Sequence, residues 1–237
     1  MTTVSPAATA AACRAAGLTA PADAPWHRYT AAEEFANALT HAVAAVLSVA
    51  GLVFLVAASG AEGTPLQVAS LTAYGISLVV LYGTSALYHA VRTPRLKARL
   101  RTIDHAAVFL LIAGTYTPFM LVGLGGPLGA AACAVVWALA VLGIAYKLRA
   151  RRRRPRASVA LHLGMGWLVI VTAGEIWIAV GPDGFFWLLL GGLSYTLGIV
   201  FYAWRGLRYH HAVWHLFVVV GSGCHFVAVA LVAVPTA

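Results

Sequence analysis

Residues 67–90 read QVASLTAYGISLVVLYGTSALYHA, a run of 24 residues without a single Asp, Glu, Lys or Arg. A helix needs about 20 apolar residues to cross the hydrocarbon core of a bilayer. Outward from this run, six more stretches have a similar length and character. The sequence therefore predicts an all-α integral membrane protein with seven transmembrane helices. The predicted crossings are residues 36–58, 67–90, 104–124, 128–147, 158–180, 185–204 and 211–234.

The overall composition agrees with a membrane protein. Of the 237 residues, 61% are hydrophobic and only 10% are charged, whereas soluble domains carry about 25% charged residues. We predict a single membrane domain over residues 31–237, preceded by a disordered cytoplasmic tail over residues 1–30. The three cysteines, Cys13, Cys133 and Cys224, are too widely separated to suggest a disulfide framework or a thiolate metal site.

The basic residues predict the orientation in the membrane. All 16 Lys and Arg residues fall in the tail or in the second, fourth and sixth predicted loops. Because basic loops stay in the cytoplasm, we expect a cytoplasmic N-terminus and an extracytoplasmic C-terminus. The net charge of +9 is thus a mark of topology, and we expect no nucleic-acid partner. The run Arg151 to Arg154 is expected to act as a topological anchor that attracts anionic lipid headgroups.

Three histidines are predicted to meet at the cytoplasmic side. His89 ends the second crossing, whereas His211 and His215 begin the seventh crossing one turn apart. Residues four apart share a helix face, so the last two can present their imidazoles to one point. A helical His-x-x-x-His pair with a third His and an open position is typical of catalytic zinc. We predict that this set binds Zn²⁺, although a single interior His is also explained by a hydrogen bond to a neighbouring helix.

Two more polar side chains are predicted at the same depth. Asp104 begins the third crossing, and Ser85 precedes His89 by one turn. Asp104 could hold a water molecule or act as a general base, and Ser85 could hydrogen-bond a reacting oxygen. The local alternatives are a helix cap for Asp104 and a bond from Ser85 to a backbone carbonyl.

Polar residues of the first crossing fall on one helix face. Glu34, Asn37 and His41 follow the spacing i, i+3, i+7. They could contact the metal-binding histidines on the side that faces away from the metal. The competing explanation is a capping box from Thr30 to Glu33, in which both glutamates stabilise the helix N-terminus.

The remaining histidines are assigned no ligand role. His225 lies about 15 Å along the helix from His215 and is expected to pack. His162 is expected at a membrane interface. His105 and His210 point away from the faces that carry Asp104 and His211.

Four motifs occur in order: EEFANALTH at 33–41, YGTSALYH at 82–89, RTIDHAAVFLLIAGTYTPF at 101–119 and YHHAVWHLFVVVGSGCHF at 209–226. Together they resemble the hemolysin III branch, the bacterial branch of the progestin and adipoQ receptor family, which is related to alkaline ceramidase-like membrane hydrolases. The resemblance covers about residues 30–234. It implies seven helices in the bacterial plasma membrane, zinc held by His89, His211 and His215, and a water-mediated role for Asp104.

Three functions are compatible with these features. The first is a zinc-dependent hydrolase of an amide or ester bond in a membrane lipid, with Asp104 and Ser85 as catalytic groups. The second is a non-enzymatic membrane-homeostasis or sensor protein with structural zinc. The third is a membrane-lytic protein, for which no amphipathic pore-forming segment is visible. Membrane lipids are the expected partners, and the sequence does not predict an oligomeric state.

Overall fold

A computed structural model describes residues 29–60, 63–149 and 155–233, and every regular element within these ranges is helical. Most of the predicted tail and the run Arg151 to Arg154 lie outside the described residues. A π-helical turn (Phe119–Leu124) extends the third helix, and a 3₁₀ segment (Trp167–Thr172) follows the fifth. The helices are α1 (Ala31–Ser59), α2 (Pro65–Ala90), α3 (Pro94–Pro118), α4 (Gly126–Arg149), α5 (Pro155–Gly166), α6 (Ala173–Ala203) and α7 (His210–Ala233).

Six helical stretches of the described chain are long and apolar enough to cross a membrane. This finding confirms a multi-pass, all-helical membrane architecture. The count is six because residues 157–203 run as one helical stretch where the sequence predicts two crossings. The six stretches are Ala31–Ser59, Pro65–Ala90, Pro94–Leu124, Gly126–Arg149, Ala157–Ala203 and His210–Ala233.

The stretch over residues 157–203 contains a reversal of the chain. Gly181 adopts φ 67° and ψ 177°, which is not helical, and Pro182 follows it. The indole Nε1 of Trp167 donates a hydrogen bond of 3.1 Å to Oγ1 of Thr196. In one straight helix these residues would be about 43 Å apart. The chain therefore folds back between them, and the break coincides with the predicted loop Gly181 to Gly184.

The predicted capping box at the start of α1 is confirmed. The hydroxyl of Thr30 accepts a hydrogen bond from the N–H of Glu33, and the Glu33 carboxylate accepts one from the N–H of Thr30. The same arrangement joins Thr64 and Gln67 at the start of α2. Each box satisfies backbone donors that a helix N-terminus leaves unpaired.

Helix α3 begins ten residues before the predicted third crossing. Pro94 occupies its first turn, where the fixed φ of proline favours a helix start. One turn further, the buried Lys97 donates to the carbonyl oxygen of Tyr88 at 3.0 Å and forms an ion pair with Glu34 at 2.9 Å. A residue predicted to lie in a loop thus ties the end of α2 to α1 and α3.

Small residues and buried hydroxyls hold the central helices close together. A Cβ added at Gly114 of α3 would collide with the side chain of Ser77 in α2. The hydroxyl of Ser222 in α7 lies 2.7 Å from the phenol oxygens of Tyr82 in α2 and Tyr195 in α6. Close backbone approach and interhelical hydrogen bonds are the main means of helix association in a bilayer. These contacts fix the position of α7 against α2, the two helices that carry the predicted zinc ligands.

Candidate metal centre

The three predicted metal ligands lie together. His89 is the next-to-last residue of α2, and His211 and His215 lie in the first two turns of α7. The His89 ring centroid lies 5.1 Å from each of the other two, which are 4.5 Å apart. One ring nitrogen from each residue lies within 4.8 Å of those of the other two. This spacing allows all three imidazoles to face a single ion.

His89 is oriented by a carboxylate on α1. Its Nδ1 lies 2.7 Å from Oε2 of Glu34, and a carboxylate accepts, so Nδ1 carries the hydrogen. The other ring nitrogen, Nε2, is buried and has no hydrogen-bond partner among the described residues. A histidine whose far nitrogen donates to a carboxylate is the usual arrangement behind a metal ligand.

His215 is oriented by the backbone of α1. Its Nδ1 lies 3.2 Å from the carbonyl oxygen of Asn37 and 3.2 Å from Oγ1 of Thr40. Because a carbonyl oxygen only accepts, Nδ1 carries the hydrogen and Nε2 keeps its lone pair. Helix α1 therefore fixes the protonated nitrogen of two of the three histidines.

The third histidine, His211, lacks such a partner. Its Nδ1 is buried without a hydrogen bond in the described part of the chain. The rings of Tyr29 and Tyr202 lie 5.1 and 6.0 Å from it. Buried polar nitrogens without partners are costly. The free nitrogens of His89 and His211 are the kind of donor that zinc binds, so the residues present fit the ion.

Asp104 and Ser85 lie beside the three histidines and outside their close group. Both side chains line a cavity that His211 and His215 also line. Oδ2 of Asp104 accepts a hydrogen bond of 2.8 Å from Nδ1 of His105. Ser85 is buried and makes no hydrogen bond to a described residue, so the backbone bond considered as its alternative is absent there. The Asp104 carboxylate and the Ser85 hydroxyl thus face the same space as the imidazoles of His211 and His215.

That cavity has a volume of about 310 Å³ and a mostly apolar wall. We call it the apolar cavity. It extends from Asp104, His211 and His215 to His225, between residues of α3, α5, α6 and α7. His162 also lines it and packs against the ring of Phe109 at 4.2 Å. The side chain of His162 is therefore half-buried against α3.

The structure also shows roles that the sequence left open or did not indicate. Glu34 contacts His89, whereas its neighbour Glu33 forms the cap. The ring of His41 stacks on that of His215 with centroids 3.5 Å apart. Glu34 and His41 both belong to the face of α1 that the i, i+3, i+7 spacing identified. The sequence did not indicate the hydrogen bond from His105 to Asp104, because adjacent residues of a helix do not normally face each other.

His225 packs as predicted. Its Nε2 donates to the carbonyl oxygen of Leu188 at 3.1 Å, which links α7 to α6. Tyr29 belongs to the folded part of the chain, although the sequence assigned it to the tail, because its ring packs between His210 and His211.

Comparison with known proteins identifies the family. The model of the haemolysin-III related family matches residues 29–226, which hold every residue of the candidate metal centre. The chain belongs to the haemolysin-III family. It is 42% identical to Hemolysin-3 of Bacillus cereus over 205 residues, which are 86% of this chain and 94% of that protein. It is 40% identical to the Hemolysin-3 homolog of Bacillus subtilis (strain 168) over 201 residues, covering 85% and 94%.

The haemolysin-III family has relatives outside bacteria. The chain is 29% identical to the human monocyte to macrophage differentiation factor over 213 residues, which are 86% of this chain and 85% of that protein. This similarity fits the predicted relationship to the progestin and adipoQ receptor family. Family membership and the apolar helices together identify a multi-pass membrane protein.

Proposed function

We propose that this haemolysin-III family protein binds zinc through His89, His211 and His215 and hydrolyses an amide or ester bond in a membrane lipid. The observation that carries the proposal is the convergence of three buried imidazoles whose ligand atoms lie within 4.8 Å of one another. Two of them have their far nitrogen bonded to α1, an arrangement typical of metal sites.

The chain's own residues divide the chemical tasks. Zinc with three histidine ligands activates a water molecule at neutral pH and polarises a carbonyl. The Asp104 carboxylate faces the apolar cavity, which His211 and His215 also line. It takes a proton from the attacking water as the bond forms between the water oxygen and the carbonyl carbon of the lipid. The same carboxyl then returns the proton to the departing nitrogen or oxygen as the scissile bond breaks. The Ser85 hydroxyl donates a hydrogen bond to the carbonyl oxygen.

The apolar cavity supports a lipid substrate. It adjoins Asp104 and His211 at one end and runs between apolar side chains to His225. An acyl chain placed there removes apolar surface from water and positions its carbonyl carbon beside the polar residues. A small polar substrate would leave the apolar wall without a partner.

We also propose seven crossings, with a cytoplasmic N-terminus. The hydrogen bond between Trp167 and Thr196 and the non-helical Gly181 support two crossings within residues 157–203. With seven crossings, all 16 basic residues fall on one side of the membrane, as the positive-inside rule requires.

A sensor with structural zinc is the second candidate. Its support is that the three histidines belong to α2 and α7, while Glu34 and Asn37 tie the set to α1. An ion there would hold three helices together, and a lipid in the apolar cavity would change their packing.

The deciding experiment measures both zinc and turnover. Purified wild type is expected to contain one zinc per chain, and His89→Ala, His211→Ala and His215→Ala are each expected to lose most of it. His162→Ala is the matched control, because its Nε2 is also buried without a partner but lies outside the group. Fatty-acid release from a panel of amide- and ester-linked lipids, lost with the zinc, supports the hydrolase. Full zinc without release from any lipid favours the sensor, and full zinc in all three variants refutes the site.

A further inference from the structure

A second cavity of about 340 Å³ lies against the histidine cluster and differs from the apolar cavity in its chemistry. We call it the Arg101 cavity. Its wall contains two arginines, three tyrosines and three histidines, and no carboxylate among the described residues. A cavity whose charged groups are all positive attracts anions. The residues that distinguish it are Tyr29, Tyr88, Arg101, Tyr202, Arg205 and His210.

Arg101 carries an unpaired buried nitrogen. Its Nη1 is shielded from solvent and has no hydrogen-bond partner in the described part of the chain. The described carboxylates near this end of the bundle bond to other groups. Glu34 pairs with His89 and Lys97, Asp104 with His105, and Glu33 accepts from the N–H groups of Thr30 and Tyr209. Arg101 as a whole is half-buried. Its guanidinium stays charged at any physiological pH, so a shielded nitrogen of that group without an acceptor is costly. The described residues therefore supply no anionic partner for this side chain.

The rest of the wall suits an oxyanion. Arg205 is exposed and lies at the rim, where it can meet an incoming anion. The hydroxyls of Tyr88 and Tyr202 can donate hydrogen bonds. The planar fork of a guanidinium matches phosphate and carboxylate oxygens in a bidentate manner. Phosphate, with more oxygens than a carboxylate, can use Arg101, Arg205 and the tyrosine hydroxyls at once.

The Arg101 cavity adjoins the apolar cavity. His105, Tyr202 and His211 line both. A molecule with an anionic group in one cavity and an acyl chain in the other would pass directly beside His211, one of the three proposed metal ligands. Free phosphate would use only the first of these spaces.

We propose that the Arg101 cavity binds the phosphate group of a phospholipid whose acyl chain occupies the apolar cavity. This assigns an anionic headgroup to the lipid acted on at the histidine site. The link to a substrate rests on the proposed hydrolase function, whereas the binding itself does not require turnover.

The test is equilibrium binding to the purified full chain in a neutral detergent, measured by titration calorimetry. The probes are dioctanoyl phosphatidic acid, dioctanoylglycerol with the same chains and no phosphate, and inorganic phosphate. Wild type should bind the phosphatidic acid at least about tenfold more tightly than the glyceride, as expected for charge-assisted hydrogen bonds to the half-buried Arg101. Equal affinity for the two lipids would overturn the proposal. Inorganic phosphate that binds as tightly as the phosphatidic acid would overturn its assignment to a lipid.

Variants on one helix separate the site from a general charge effect. Arg101→Gln should abolish the preference for phosphate, whereas the exposed Arg99→Gln, with the same loss of charge on α3, should keep it. Arg205→Gln, at the exposed rim, should weaken the preference and cannot act through a folding defect in the core. If Arg99→Gln and Arg101→Gln weaken binding equally, the cavity is not the site.

Removal of the metal distinguishes this proposal from the proposed function. The preference for phosphate should persist after chelator treatment, because Arg101 and not the ion recognises the anion. A preference that disappears on chelation but survives in Arg101→Gln would place the phosphate on the metal and overturn the inference. A protein that binds phosphatidic acid as described but hydrolyses no lipid refutes the hydrolase alone.

Discussion

Glu34 and His89, 55 positions apart in the sequence, meet through a 2.7 Å contact between Oε2 and Nδ1. The carboxylate holds the protonated nitrogen of the imidazole and thereby directs the other nitrogen toward His211 and His215. Glu34 is in turn paired with Lys97 at 2.9 Å, so three helices determine the direction of one lone pair.

Replacing Glu34 tests this orienting role. Glu34→Gln keeps a hydrogen-bond acceptor but removes the negative charge behind His89, so zinc affinity should fall by about 10- to 100-fold, as for other supporting residues of metal sites. Competition with a chelator of known affinity measures the change. Glu175→Gln is the control, because it makes the same chemical change at an exposed position of α6, and its zinc affinity should equal that of wild type. An equal loss of zinc affinity in both variants would show that the contact between Glu34 and His89 does not orient a metal ligand.

Replacing Asp104 tests its role in catalysis independently of metal binding. Asp104→Asn keeps an acceptor for His105 but cannot take a proton, so lipid hydrolysis should fall by about 10²- to 10⁴-fold, with zinc content and the thermal unfolding midpoint unchanged. Zinc analysis and product release on the same sample provide the comparison. The exposed Asp183→Asn should alter neither. Full turnover in Asp104→Asn would exclude this carboxylate as the base.

The contact between α2 and α3 depends on the absence of a side chain at Gly114. In Gly114→Ala the new methyl group collides with the side chain of Ser77, so the protein should lose about 1–3 kcal/mol of stability, as is usual for overpacking. Gly83→Ala provides the control, since an added Cβ there meets no atom within 4 Å and alanine favours a helix. Thermal unfolding in detergent measures both variants. A lower midpoint for Gly83→Ala than for Gly114→Ala would contradict the packing described here.

Cysteine labelling tests the seven crossings. In a background with the three native cysteines replaced by serine, Asp183→Cys should react with a membrane-impermeant maleimide added outside intact cells. Arg205→Cys should react only after permeabilisation, because one crossing separates the two positions. Labelling of both positions from the same side would require an even number of crossings between them and would reject the proposed topology.

Local features of the sequence predicted the apolar helices, the capping box at Thr30 and the pairing of His211 with His215. Each follows from contacts within a few residues, because helix length and the i, i+4 relationship depend only on the nearby chain. The number of membrane crossings was harder to predict from local features. Residues 157–203 form one helical stretch, and within Ala173–Ala203 only the backbone of Gly181 departs from helical geometry.

The sequence by itself determined that this chain lies in a membrane, belongs among helical proteins and carries histidines in the spacing of a metal site. Only the tertiary structure decided that Glu34 orients His89 and that the Asn37 carbonyl orients His215, 178 positions away. It also decided that a buried nitrogen of Arg101 has no partner among the residues that the structure describes. The physical reason is that helix periodicity sets which face a residue occupies, whereas its partner depends on how distant helices pack. Small residues such as Gly114 and the buried hydroxyl of Ser222 set that packing, and no local pattern reports which helix they will meet.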